Sequence, residues 1–167
     1  MRYDMRFEAP LSLWREPVRQ EWVDDSGLMN VTSYSLIFNA AAHLFYPLVG
    51  LGEAYRKETG QTTFAVEMHH CYQREGSLGD LVEVTAQLLG FDEKRLHFFE
   101  TMLHAKEGYQ MATMEVLAIH VDLSGHKVVS LPDEPRNLLT DLMESHKDLP
   151  VPPQVGSVIT AGSKKPG

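Results

Sequence analysis

The stretch Val23-Asp24-Asp25-Ser26-Gly27-Leu28-Met29-Asn30-Val31 runs straight into an apolar segment. An acidic residue three positions ahead of a glycine that opens a helix places a carboxylate beside a helix N-terminus. Unpaired backbone N–H groups and the helix dipole hold developing negative charge there. A carboxylate at such an end suits hydrolysis of an acyl group. A free Asp has a pKa of about 3.9, so Asp24 is ionised at pH 7. It is placed either to attack an acyl carbon or to orient a water, and the spacing does not choose. The backbone N–H groups of Asn30 and Val31 are the candidate oxyanion donors. The competing reading makes Asp24 or Asp25 a plain helix cap, since Asp and Ser are favoured there.

Other residues cluster around this stretch. Thr32, Ser35, Asn39, His43 and Tyr46 recur every three or four positions, a polar stripe on an otherwise apolar helix. The stripe fits a substrate pocket, a subunit contact, or a set of individually satisfied polar groups. His69 and His70 point to opposite faces of a strand, so only one faces the helix. Neither belongs to a metal-ligand spacing. Trp14, Trp22, Tyr34, Phe38, Phe45 and Tyr46 supply aromatic faces. Most read as core, but Trp22, two residues before Asp24, is placed to hold a cationic headgroup by cation–π attraction.

Around these residues lies an ordinary globular chain. It has 167 residues, 43% hydrophobic and 23% charged, enough to build one core without a disulfide or metal staple. Cys71 is the single cysteine, which fits a reducing, cytoplasmic setting. The net charge is −8 and no basic run marks a nucleic-acid footprint; Lys164-Lys165 is too small to matter. The first eight residues carry two acids and no apolar run, unlike a signal peptide. The apolar region from Leu36 to Val49 is broken by Asn39, His43 and Pro47, and reads as a core helix and not a membrane span.

The patterning predicts an α+β architecture. Residues 1–17 read as irregular and 18–23 as a first strand. A buried helix spans about 29–46 and ends at Pro47 and Gly50-Leu51-Gly52. It is apolar almost all round, so burial on every side is expected. A short helix covers 53–59. Strands follow at 62–73, 79–89, 94–105 and 109–122, the last three as an antiparallel meander, with Val82, Val84, Ala86 and Leu88 on one face. Residues 132–146 form a surface helix with the stripe Leu138, Leu139, Leu142. One domain of residues 1–148 is expected, followed by a Pro/Gly-rich tail at 149–167 that is mobile at its end.

These motifs resemble the hot-dog-fold acyl-CoA thioesterases, the 4-hydroxybenzoyl-CoA-thioesterase-like group, over roughly residues 15–145. That group carries Asp, two residues, Gly, then His-Val-Asn, then a Tyr opening the helix. Here the positions are Asp24, Gly27, Leu28-Met29-Asn30 and Tyr34. The segment Tyr72-Gln73-Arg74-Glu75-Gly76-Ser77-Leu78-Gly79-Asp80 resembles the family's second-strand ending, and Glu115 also fits. Glu21-Trp22-Val23-Asp24, Asp92-Glu93-Lys94-Arg95-Leu96-His97 and Leu149-Pro150-Val151-Pro152 are similar to thioesterases of carnitine breakdown, which act on betainyl-CoA-type substrates. Two departures stand out. Leu28 replaces the usual His, and Asn39 and His43 stand where many relatives carry acidic residues.

The resemblance implies a curled antiparallel sheet wrapped around one long central helix. It implies hydrolysis of a small acyl-CoA to free acid and coenzyme A, without cofactor or metal. Asp24 would be the nucleophile or base and the Val31 N–H the oxyanion donor, with Asn30 beside it. Trp22, Tyr34, Asn39, His43 and His70 would line the acyl pocket. Lys94 and Arg95 would meet the coenzyme A phosphates by charge-assisted hydrogen bonds, with His97 reaching the ligand or a subunit interface. A homodimer or homotetramer with the pocket between subunits is expected. The alternatives are a non-catalytic acyl-CoA-binding protein and a hot-dog hydratase or dehydratase, which normally pairs an Asp with a His in a way not seen here.

Overall fold

The computed structural model describes residues 7–162. A helix α1 (Val31–Leu48) lies against an antiparallel sheet of β1 (Leu11–Pro17), β2 (Gln61–Tyr72), β3 (Leu81–Phe91), β4 (Arg95–His104), β5 (Gln110–Asp122) and the short β6 (Lys127–Val128). The strand order is β1-β3-β4-β5-β2, with β6 beside β5. Helices α2 (Glu53–Thr59) and α3 (Asp133–His146) complete the chain. This is the expected α+β, hot-dog arrangement, a curled sheet around a central helix.

Period-two alternation builds the sheet's inner face. Val82, Val84, Ala86 and Leu88 of β3 and Leu96, Phe98 and Met102 of β4 are all buried. Phe45 of α1 stacks on Phe98 with ring centroids 4.6 Å apart. Helix α1 starts where the Asn30 side chain accepts the Ser33 N–H at 3.0 Å, a regular N-cap.

Several expectations need correction. Residues 11–17 are not irregular: they form β1 on β3, an edge strand whose flanking prolines mimic a loop signature. Residues 18–23 are not a strand but hold a 3-10 turn, Gln20–Trp22. Pro47 does not end α1; it sits in the last turn, where its missing N–H costs a single helical hydrogen bond. Nor is α1 buried all round. Val31, Leu36, Leu44 and Leu48 are exposed, because one sheet covers only one side of a helix. The tail lies on the outer sheet face as far as described, with the Gly156 N–H donating to Glu115 Oε2 at 2.8 Å. Its expected mobile end and Lys164-Lys165 lie outside the described residues.

Strand β3 bulges between Leu88 and Gly90, and the buried His146 of α3 takes up the freed donor. Its Nδ1 accepts the Leu88 N–H at 3.0 Å and its Nε2 donates to the Glu8 carbonyl at 2.9 Å. Burial pushes the His146 pKa down, so the fold prefers neutral imidazole. The unfolded chain then binds the extra proton, and stability contributed by His146 is lost as pH falls below about 6.5. His146→Ala should flatten that acid slope in urea melts. It should also lower stability at pH 7.5 by about 1–3 kcal/mol, because the Leu88 N–H loses its partner.

Candidate functional site

The loop before α1 is a small hairpin. Val23 and Met29 form an antiparallel bridge. The Asp24 N–H donates to the Leu28 carbonyl at 2.9 Å, and the Gly27 N–H to the Asp24 carbonyl at 2.9 Å. Gly27 has φ +78°, so glycine serves the loop's left-handed position and does not open the helix. That corrects the first reading of this stretch: Asn30, not Asp24 or Asp25, caps α1. The loop is pinned from three sides. Asn30 N–H donates to the Trp22 carbonyl at 3.1 Å, Met29 N–H to Gly76 at 2.8 Å, and Leu78 N–H to Gly27 at 3.1 Å. Tyr34, buried under the loop, accepts the Gly76 N–H at its hydroxyl at 3.1 Å.

This clasp fixes the chemistry-bearing groups. The Asp24 carboxylate is exposed. Its Oδ1 accepts the Ser26 hydroxyl at 2.5 Å and the Ser26 N–H at 2.8 Å, while no bond to Oδ2 is found among the described residues. The Ser26 hydroxyl, then its amide, hold the Asp24 pKa below the ordinary carboxyl value. Asn30 N–H is already committed to Trp22, which leaves Val31. As the first helical residue it has no acceptor within the helix, and its N–H sits at the positive end of the dipole.

The remaining site residues divide between the two ends of the sheet. Trp22, Asp24, Asn30, Val31 and Tyr34 share the end where β2 finishes. His70 joins them on the inner face, 5.8 Å from the Phe38 ring, while Tyr72 packs on Tyr34 at 5.3 Å. His69 faces outward, as alternation requires. Trp22 already carries the Arg19 guanidinium 4.8 Å over its ring and packs on Trp14 at 5.9 Å. Asn39 is exposed on the outer side of α1. His43 and Tyr46 are at the other end, lining a cavity of about 740 Å³ with Arg56, Thr62, Thr63 and Phe64.

Lys94, Arg95 and His97 also lie at that other end, at the β3–β4 turn. Arg95 and His97 share an outer groove with Phe91 and Asp92. Arg95 is forked onto Asp92 at 2.6 and 2.7 Å, which holds Asp92 at a pKa of about 2. His97 is bonded to Glu115 Oε1 at 2.7 Å. Counting along β3 from Leu81 to Phe91, the basic turn is roughly 33 Å from the Asp24 end of the same chain. Val31 and Tyr46 stand about 22 Å apart along α1.

Two features escape a reading by motif. The His97–Glu115 pair depends on cross-strand register. Glu100 is fully buried with both carboxyl oxygens unpartnered among the described residues. Its signal was an acid at an inner, period-two position of β4. Among the described residues no three His, Cys, Asp or Glu side chains converge as metal ligands.

The Ser26 hydroxyl is the largest cause of the low Asp24 pKa. In Ser26→Ala the Asp24 carboxyl should titrate at a higher pH than in wild type, read by carbon-detected NMR of the side-chain carboxyl.

The profile of the thioesterase-like superfamily matches residues 18–140. The chain is 35% identical to a betainyl-CoA thioesterase of Pseudomonas aeruginosa over 149 residues, 89% of this chain and 94% of that protein. It is 35% identical to an L-carnitine dehydrogenase/betainyl-CoA thioesterase of Rhizobium meliloti over 148 residues, 89% of this chain but 30% of that longer protein. A Staphylococcus aureus protein solved in complex with CoA superposes with a TM-score of 0.86 at 25% identity, covering 93% of this chain and 98% of that one. A putative thioesterase from Pseudomonas putida superposes with a TM-score of 0.81 at 28% identity, covering 93% and 99%. The carboxylate loop, the helix end and these likenesses converge: the chain belongs to the thioesterase-like superfamily, as a hot-dog hydrolase of acyl-CoA thioesters.

Proposed function

We propose that this thioesterase hydrolyses a small, cationic acyl-CoA of the betainyl type. The observation that carries the chemistry is the clasped loop that leads from the exposed Asp24 carboxylate into the N-terminus of α1, where Val31 is the first helical residue. The name of the Pseudomonas aeruginosa relative supports the substrate class. Asp24 attacks the thioester carbon or takes a proton from the attacking water, and the carbonyl oxygen becomes an oxyanion held by the Val31 N–H. Collapse expels the coenzyme A thiolate, which takes up a proton; water supplies the new carboxyl oxygen. The reaction as proposed uses neither metal nor cofactor, and the lone thiol, Cys71, suits a cytoplasmic setting.

The working unit we propose is a homodimer. Strand β2 is one edge of the sheet and exposes Phe64, Val66, Met68 and Tyr72, while α1 exposes Leu36, Leu44 and Leu48. Antiparallel pairing of two β2 edges about a two-fold buries both surfaces. Tyr34 lies by Tyr72 at 5.3 Å, and Tyr46 and Thr63 line one cavity at the opposite end of β2. A two-fold through the middle of β2 therefore sets the Asp24 end of one chain beside the Tyr46 and Lys94-Arg95 end of its partner. Lys94 and Arg95 then serve the coenzyme A phosphates of the partner's site, with the phosphate replacing Asp92 on the Arg95 fork.

Thiol release from betainyl-CoA, short straight-chain and aromatic acyl-CoAs tests the reading. Turnover is expected on betainyl-CoA, and Asp24→Asn should lower kcat by ~100-fold or more while binding persists. Binding without turnover of any thioester would overturn it.

A further inference from the structure

Glu100 sits on β4 between Phe98 and Met102, on the face that meets α1, with no exposed surface. Its oxygens find no donor among the described residues, and burial raises its pKa well above the carboxylate range. Packing does not require an acid here: Met102 fills the next inner position on the same strand. A sealed, unpartnered carboxyl is unfavourable to the fold, so its retention calls for a ligand.

The surroundings say which kind. Phe98 stacks on Phe45 at 4.6 Å, and Tyr46 meets Phe98 edge-on at 6.0 Å. Tyr46 is pushed up to about 12, chiefly by burial, with the Glu100 charge adding to it. The same Tyr46 is a wall of the 740 Å³ cavity at the C-terminal end of α1. Tyr46 thus stands between this open cavity and Phe98, the neighbour of Glu100 on the inner face of β4. Primary ammonium and guanidinium groups donate hydrogen bonds and call for several acceptors around them. A quaternary ammonium donates none. It needs negative charge and aromatic faces in a dry place, and a carboxylate not already spent on other donors.

We infer that Glu100 is the counter-charge for a quaternary ammonium acyl group that enters the Tyr46 cavity. The inference rests on the proposed dimer, because Val31 and Tyr46 of one chain stand about 22 Å apart along α1. Tyr46 turns to another staggered rotamer to admit the group, and Glu100 holds it as a carboxylate. Glu100 sets the choice of acyl group and takes no part in bond breaking.

The test compares kcat/KM for betainyl-CoA and for 3,3-dimethylbutyryl-CoA, the uncharged isostere with carbon in place of nitrogen. Glu100→Gln should lower the value for betainyl-CoA by ~30-fold or more, mainly through KM, and leave the isostere within about threefold. An unchanged ratio between the two substrates would overturn the inference. A second measurement needs no variant: choline should inhibit the wild-type protein competitively, and its neutral isostere 3,3-dimethylbutan-1-ol should not. Equal inhibition by both would also overturn it. Wild-type turnover of neutral thioesters alone would remove the Glu100 inference and leave thioester hydrolysis standing. Thiol release from no thioester would remove both.

Discussion

One sheet covers one face of one helix, and that constraint governs the rest of the molecule. The inner face of β3, β4 and β5 buries Phe38, Ala41 and Phe45 of α1 completely. The opposite side of α1 keeps Leu36, Leu44 and Leu48 in solvent, next to the apolar open edge of β2. Burying this surface is favourable by about 25 cal/mol per Å², and an edge strand invites a pairing partner. In the proposed dimer a second copy satisfies both needs, and the direction of that pairing decides which groups meet. The groups fit for acyl chemistry stand at one end of the sheet, and those fit for phosphate and headgroup recognition at the other.

The Asp24 end is built mostly from backbone. Asp24 is held by Ser26, the loop by Trp22, Gly76 and Gly27, and the helix end by Asn30. Each bond fixes a direction: the carboxylate outward, the Asn30 amide inward, the Val31 amide free at the helix dipole. Gly76 is hemmed in by the Met111 and Met29 side chains, so its lack of a Cβ lets the β2–β3 connection close over Tyr34. Such preorganisation is what an oxyanion site requires, since donors already in place need no rearrangement as charge develops.

Much of this was legible in the residues. Alternation at Val82, Val84, Ala86 and Leu88 located β3 and its buried face, and the Gly50-Leu51-Gly52 turn separated α1 from α2. Asp24, Val31 and Tyr34, which motif spacing singles out, lie together at one end of the sheet. What was missed has physical reasons. Strand β1 was hidden by Pro10 and Pro17, which an edge strand tolerates. Gly27 looks like a helix start in sequence because a left-handed loop position and a helix boundary favour the same residue type. The ties of Arg95 to Asp92 and of His97 to Glu115 come from turn geometry and register, which no local pattern encodes. The exposure of Leu36, Leu44 and Leu48 on α1 depends on which side the sheet covers, which composition does not encode.

The claim on which the account turns is that each site draws on two chains, and subunit mixing tests it most directly. One population carries Asp24→Asn; the other carries Lys94→Ala with Arg95→Ala. Each alone should be nearly inactive at low acyl-CoA. Mixed and reassociated at equal concentration, they should recover about a quarter of wild-type activity, because half the dimers then hold one intact site. No recovery, with hybrid dimers shown to form, would mean that Asp24 and the basic turn serve the same chain, and would contradict the account.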